Sequence, residues 1–118
     1  PKIISSIVKF IKKKISKSVD VISIAGEWNS FFHEEDKIQS EKVILEQEGQ
    51  CVKGTIILDK TSYVFEGEFK NHILTGYYRS KNPKKYEYGS ITVRRINEDL
   101  MSGYCTFVYK DKQPVCFI

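Results

Sequence analysis

The residues best equipped for chemistry in this chain are cations set beside aromatic rings. Arg79, Lys81, Lys84 and Lys85 flank one short basic loop, Arg94 and Arg95 follow on the next stretch, and Trp28, Tyr78 and Tyr104 offer flat faces. Guanidinium groups pair with phosphate oxygens in a bidentate fork, and tyrosine and tryptophan rings stack on bases. Arg79, Lys85, Arg94 and Arg95 are therefore candidate phosphate contacts, with Trp28, Tyr78 and Tyr104 as candidate stacking surfaces. The plainer account of the same loop is a lysine-rich segment that keeps the surface soluble.

Catalytic constellations are harder to find. His33 and His72 have no carboxylate or cysteine at metal-ligand spacing, whereas a zinc site needs three or four convergent ligands. The sequence contains no nucleophile elbow, no glycine-rich phosphate loop opening a helix and no paired-histidine motif. Glu34, Glu35 and Asp36 read as a solvated loop, because nothing places a second carboxylate opposite them. The expectation is a binding domain, not an enzyme, with no metal or cofactor. Cys51, Cys105 and Cys116 form an odd set without a Cys-x-x-Cys pair, which reads as three reduced, partly buried thiols.

Charge narrows the choice of partner. The 118 residues carry a net charge of +4, but it is unevenly spread. Residues 1–26 hold six lysines against one aspartate, residues 27–68 hold four basic and ten acidic side chains, and residues 69–118 hold nine basic and four acidic. A phosphate-bearing partner would be drawn to both ends and repelled by the middle. That pattern favours a small anionic ligand over a nucleic acid polymer. No apolar run approaches the roughly 18 residues of a membrane-spanning helix, and repeated lysines break any signal-peptide pattern near the start.

Two kinds of element must position these groups. Ile3, Ile4, Ile7, Val8, Ile11, Ile15, Val19 and Ile22 recur at steps of three and four, which predicts an amphipathic helix over residues 1–22 with its lysines off the apolar stripe. Such a helix could cover one end of a barrel, pack on a second copy, or lie on an anionic membrane surface. Residues 23–118 read as eight strands at about 24–33, 42–48, 51–59, 62–69, 72–80, 86–96, 100–109 and 113–118, joined by short turns. Glycine recurs inside them, at Gly26, Gly54, Gly67, Gly76, Gly89 and Gly103, each time on the face that carries the apolar residues. Strand-interior glycines mark bends and close backbone approaches, and small barrels turn their corners with them. The expected fold is therefore all-β, an eight-stranded antiparallel up-and-down barrel preceded by the helix. Alternation assigns Trp28, Val43, Leu45, Val52, Ile56, Leu58, Phe65, Phe69, Leu74, Ile91, Val93 and Phe107 to its interior.

The Gly26-x-Trp28 opening of a strand meander is similar to the start of calycin barrels, the lipocalin and avidin group. A nearer likeness is to the β-barrel domain of the two-transmembrane, β-strand-rich effectors of cyclic-oligonucleotide antiphage defence (CBASS). The chain resembles them in its lysine-rich lead-in, Gly26-x-Trp28, Gln47-Glu48-Gly49, Gly89-x-Ile91 and Leu100-x-x-Gly103-Tyr104. That resemblance implies a receptor for a cyclic dinucleotide on the cytoplasmic side of a membrane, whose binding drives self-association of membrane-disrupting copies. Two alternatives stand beside it: a barrel enclosing a lipid or other apolar ligand, and an interaction module that docks on a membrane or protein through its basic lead-in.

Overall fold

Eight antiparallel strands close into a barrel in strict sequence order, each hydrogen-bonded to its neighbours in the chain and the last to the first. A computed structural model describes residues 2–12, 22–34 and 36–109. The strands are β1 (Lys2–Lys12), β2 (Gly26–Glu34), β3 (Lys37–Glu48), β4 (Cys51–Leu58), β5 (Thr61–Lys70), β6 (Ile73–Ser80), β7 (Tyr88–Asn97) and β8 (Leu100–Tyr109). No helix among the described residues is long and apolar enough to cross a membrane.

The expected amphipathic helix is not what residues 2–12 form. They are strand β1, which pairs with β8 from Lys2↔Tyr109 to Ile11↔Leu100 and with β2 from Val8↔Phe32 to Lys12↔Trp28. Isoleucine and valine are better strand formers than helix formers, and a barrel with an open edge leaves a row of backbone donors and acceptors unsatisfied. In the strand, Val8 and Phe10 point inward and are each 1% exposed, while Ile7 and Ile11 point outward. The three-and-four spacing of apolar residues therefore arises from residues on both faces of one strand. Residues 13–21 of the expected helix, and the expected strand at 113–118, lie outside the described residues. The eighth strand thus comes from the start of the chain.

Within the barrel the twelve expected interior residues all face inward; ten are buried, and Leu58 and Phe107 pack partly buried against them. Val8, Phe10, Ile24, Phe32, Tyr63, Tyr78 and Met101 complete the core. The inward glycines answer to the neighbouring strand more than to the barrel axis. Gly67 and Gly76 are directly paired, and a Cβ on Gly76 would come within 2.8 Å of the Gly67 Cα and 2.6 Å of the Phe65 ring.

The two ends of the barrel differ. At the lower end, where β3 turns into β4, residues 22–25 fold beneath the opening. Ile24 is 1% exposed, its N–H donates to Gln47 Oε1 at 2.8 Å, and its carbonyl accepts from Trp28 Nε1 at 2.9 Å. Gln47 Nε2 in turn donates to the Gly49 carbonyl at 2.8 Å. One glutamine side chain thereby seals that end. The upper end, with the β2–β3, β4–β5 and β6–β7 connections, has no such plug among the described residues.

Candidate functional site

Just inside the upper mouth, Tyr63, Tyr78 and Phe107 form an edge-to-face cluster with centroids 5.6–6.1 Å apart. Tyr78 Oη donates to the Thr106 carbonyl at 2.9 Å, and Tyr63 Oη donates to Glu87 Oε1 at 3.0 Å. Beneath them lies a cavity of about 20 Å3, bordered by Ser6, His33, Glu41 and Cys105 as well as by these rings. That volume suits a single water and no more. The cavity follows the seam between β1 and β2, whose ladder ends at Val8↔Phe32. Beyond it the Ser6 hydroxyl replaces the missing ladder bonds, accepting from the His33 N–H at 3.1 Å and donating to the His33 carbonyl at 2.6 Å.

Burial governs the ionisable groups there. Desolvation pushes the Glu41 carboxyl up from 4.5 to about 7, a rise that its cross-strand neighbour Ser30 tempers. Ser30 Oγ is wholly buried, with Glu41 directly across the strand pair from it. The Cys105 thiol, desolvated and facing the Glu41 charge, is pushed up to about 12. A thiol held so firmly protonated is a poor nucleophile. Cys51, by contrast, is exposed, and Cys116 lies outside the described residues.

The cations gather at the lip. The loop between β6 and β7 is held by its own hydrogen bonds: Ser80 N–H to the Glu87 carbonyl (2.9 Å), Lys85 N–H to the Asn82 carbonyl (3.0 Å) and Lys81 N–H to the Ser62 carbonyl (2.9 Å). Asn82 adds a side-chain turn, its Oδ1 accepting from the Lys84 N–H at 3.0 Å. An open cleft of about 820 Å3 lies against this loop on the outside of the barrel, bordered by Tyr77, Arg79, Lys81, Lys85, Tyr86 and Tyr88. Register explains the grouping, because Arg79 is paired with Val64 on one side and Tyr88 on the other, all facing outward. A second groove of about 390 Å3 runs between Lys60, Lys81 and Lys85 and is floored by Thr61, Ser62 and Ser80. Lys85 also borders the barrel mouth, where Gln39, Asp59 and Glu87 stand. It is the side chain common to all three openings.

The expected site residues are divided by this geometry. Arg79 and Lys85 share the outer cleft. Tyr78 borders it too, but its ring points inward, 7% exposed, with its hydroxyl committed to Thr106. Trp28 is fully buried near the sealed end and cannot stack on a ligand. Arg94 and Arg95 sit toward the lower end; Arg94 is six positions along β7 from Tyr88, roughly 20 Å at strand rise. Tyr104 is exposed on the outer face of β8, paired with Ile7 and Thr92, away from the loop. The aromatics that do accompany Arg79 are Tyr77, Tyr86 and Tyr88. Parity could have found two of them, since Tyr77 shares the outward face of Arg79 on β6 and Tyr88 has the outward parity of β7. Compared with protein-family models, curated proteins and solved structures, the chain matches none.

Proposed function

We propose that this barrel is a non-enzymatic receptor for a small phosphate-bearing ligand with a flat base, a cyclic dinucleotide in the leading case, held in the outer cleft beside the β6–β7 loop. The observation that carries the reading is the convergence of Tyr77, Tyr86 and Tyr88 with Arg79, Lys81 and Lys85 around one cleft of about 820 Å3. That size falls within the usual range for small-molecule sites, roughly 300–1,000 Å3. Arg79 and the two lysines would meet phosphate oxygens, and the exposed Tyr77 and Tyr86 rings would face the bases. A loop already ordered by its own hydrogen bonds loses less entropy on binding. The likeness to cyclic-oligonucleotide effectors accords with this reading and supplies its consequence, ligand-driven self-association on the cytoplasmic side of a membrane. An acyl chain, the alternative guest, has only the 20 Å3 cavity to enter.

A thermal-shift and calorimetric screen with cyclic dinucleotides tests the proposal. A true ligand at hundredfold excess over its Kd should add about 2.7 kcal/mol to stability. Arg79→Glu and Lys85→Glu should each weaken that ligand by about tenfold or more, through loss of a charge-assisted contact, whereas Arg94→Gln at the other end should leave it unchanged. No shift and no heat with any member of the panel would remove the nucleotide reading.

A further inference from the structure

The openings that meet at Lys85 differ in charge. Glu87 borders the outer cleft, and Asp59 and Glu87 both border the barrel mouth. The groove of about 390 Å3 between the β4–β5 turn and the β6–β7 loop has no carboxylate in its lining, and Lys60, Lys81 and Lys85 supply its charge. Among the described residues none of these lysines takes part in an ion pair. Unneutralised ammonium groups around one depression raise the local concentration of anions.

Local structure fixes the walls of the groove. Leu58 is paired with Thr61, and Asp59 between them takes a left-handed φ of 58°, so Lys60 holds the second position of a tight turn. On the facing side Ser80 is paired with Tyr63, and the Lys81 N–H donates to the Ser62 carbonyl at 2.9 Å, which ties the loop to the start of β5. Ser80 Oγ accepts from the Asn82 N–H at 3.1 Å and keeps its own proton to donate. Asn82 Oδ1 accepts from the Lys84 N–H at 3.0 Å, which leaves the amide NH2 as a donor. Ammonium, hydroxyl and amide donors around one space are what phosphate oxygens require. No aromatic residue borders the groove, so it suits a phosphate and not a base.

Ser80, Lys81, Asn82 and Lys85 line this groove and the outer cleft alike, so the two spaces are the flanks of one ridge. We propose that the groove is a second phosphate subsite, so that the ligand carries two phosphate groups, one met by Arg79 in the cleft and the other by Lys60, with Lys81 and Lys85 between them. This subsite rests on the reading of the cleft as a nucleotide site, and it adds a selection that the cleft alone does not make: a ligand with a single phosphate fills only half of the donors.

Calorimetric titration of the whole chain with cyclic dinucleotides of adenine, guanine and uracil, each beside the cyclic mononucleotide of the same base, tests it. A dinucleotide should bind about tenfold tighter or more than its mononucleotide, the increment of one charge-assisted contact. Lys60→Glu should cost the dinucleotide about tenfold, and the mononucleotide less than about threefold through the screened charge alone. Arg79→Glu should weaken both alike. Lys60 is exposed at a turn, so the melting curve of its variant should match the parent's. In NMR spectra the dinucleotide should shift the amides of Thr61 and Ser62 together with those of Tyr77 and Tyr88, and the mononucleotide only the latter pair. Equal affinity for the two ligands, or equal losses in Lys60→Glu, overturns the second subsite and leaves the cleft reading in place. Weakening by Lys60→Glu with none by Arg79→Glu overturns the cleft reading and the pairing of subsites with it. No binding by any member of either series removes both.

Discussion

Glu41 is the residue at which this barrel is least at ease. Its carboxyl holds a proton to about 7 in the folded protein, against 4.5 ordinarily, because burial beside Phe32 and Cys105 disfavours the charge. A group whose folded value is raised binds its proton more tightly in the native state. Stability should therefore be highest below about pH 4.5, fall as pH rises toward 7, and level off above. Because Glu41 retains some contact with solvent, the loss should be about 1–3 kcal/mol, less than the full shift would imply. Glu41→Gln should remove that slope and raise stability at pH 8 relative to the parent. Urea unfolding of both proteins at pH 5 and pH 8 measures it, and parallel pH profiles would show that Glu41 does not carry the effect. The strand expected over 42–48 left Glu41 outside it, whereas β3 begins at Lys37 and so carries Glu41 on the inward face with Val43 and Leu45; a lone glutamate beside an expected strand carries no signal of how dry its surroundings will be.

At the scale of elements, β1 decides the architecture. A helical stripe would bury Ile11 and leave Phe10 outside it; the strand reverses the two, with Phe10 at 1% and Ile11 at 41% exposed. Phe10→Ala should then cost about 3–5 kcal/mol, whereas Ile11→Ala should cost about 1 kcal/mol or less. Chemical denaturation of the two variants reads the difference, and the opposite order would restore the helix. Gly76 offers a second test of how tightly neighbouring strands approach. Gly76→Ala would drive a methyl against the Gly67 Cα and the Phe65 ring, and should cost at least about 1–3 kcal/mol by overpacking. Most hairpins were marked to within a residue or two, the strand expected from residue 72 beginning at Ile73. Asn71 and His72 both adopt left-handed φ angles, 54° and 64°, in a two-residue turn of the primed kind that suits the twist of antiparallel strands.

The whole molecule separates its functional features by end. The proposed ligand cleft lies on the outer face at the upper end, beside the β6–β7 loop, and the Ile24–Gln47 contact closes the lower end. With the lower end sealed and an interior cavity of only about 20 Å3, the outer cleft of about 820 Å3, not the lumen, offers the roomier space beside the cations. Arg79, Lys81 and Lys85 were legible as a cationic group because they are neighbours in sequence. Trp28 had two readings, an interior residue by strand alternation and a stacking surface by its chemistry, and its complete burial agrees with the first.

Local sequence by itself determined the existence of seven of the strands, most of their turns, their inward faces and the recurrence of glycine where strands crowd; the tight turn between β2 and β3 was not among them, because β3 starts at Lys37 and not near residue 42. Those features depend on the side-chain period of two and on turn residues, which act over a few positions. Only the tertiary structure decided that residues 2–12 are a strand, that Ile24 and Gln47 seal one end, and that Arg94 and Arg95 stand far from Arg79. The reason is closure. A segment with apolar residues on both faces is ambiguous alone, and becomes a strand when β8 and β2 both present it with unpaired backbone. The cleft likewise exists because closure brings outward side chains of β5, β6 and β7 beside a loop ordered by its own hydrogen bonds.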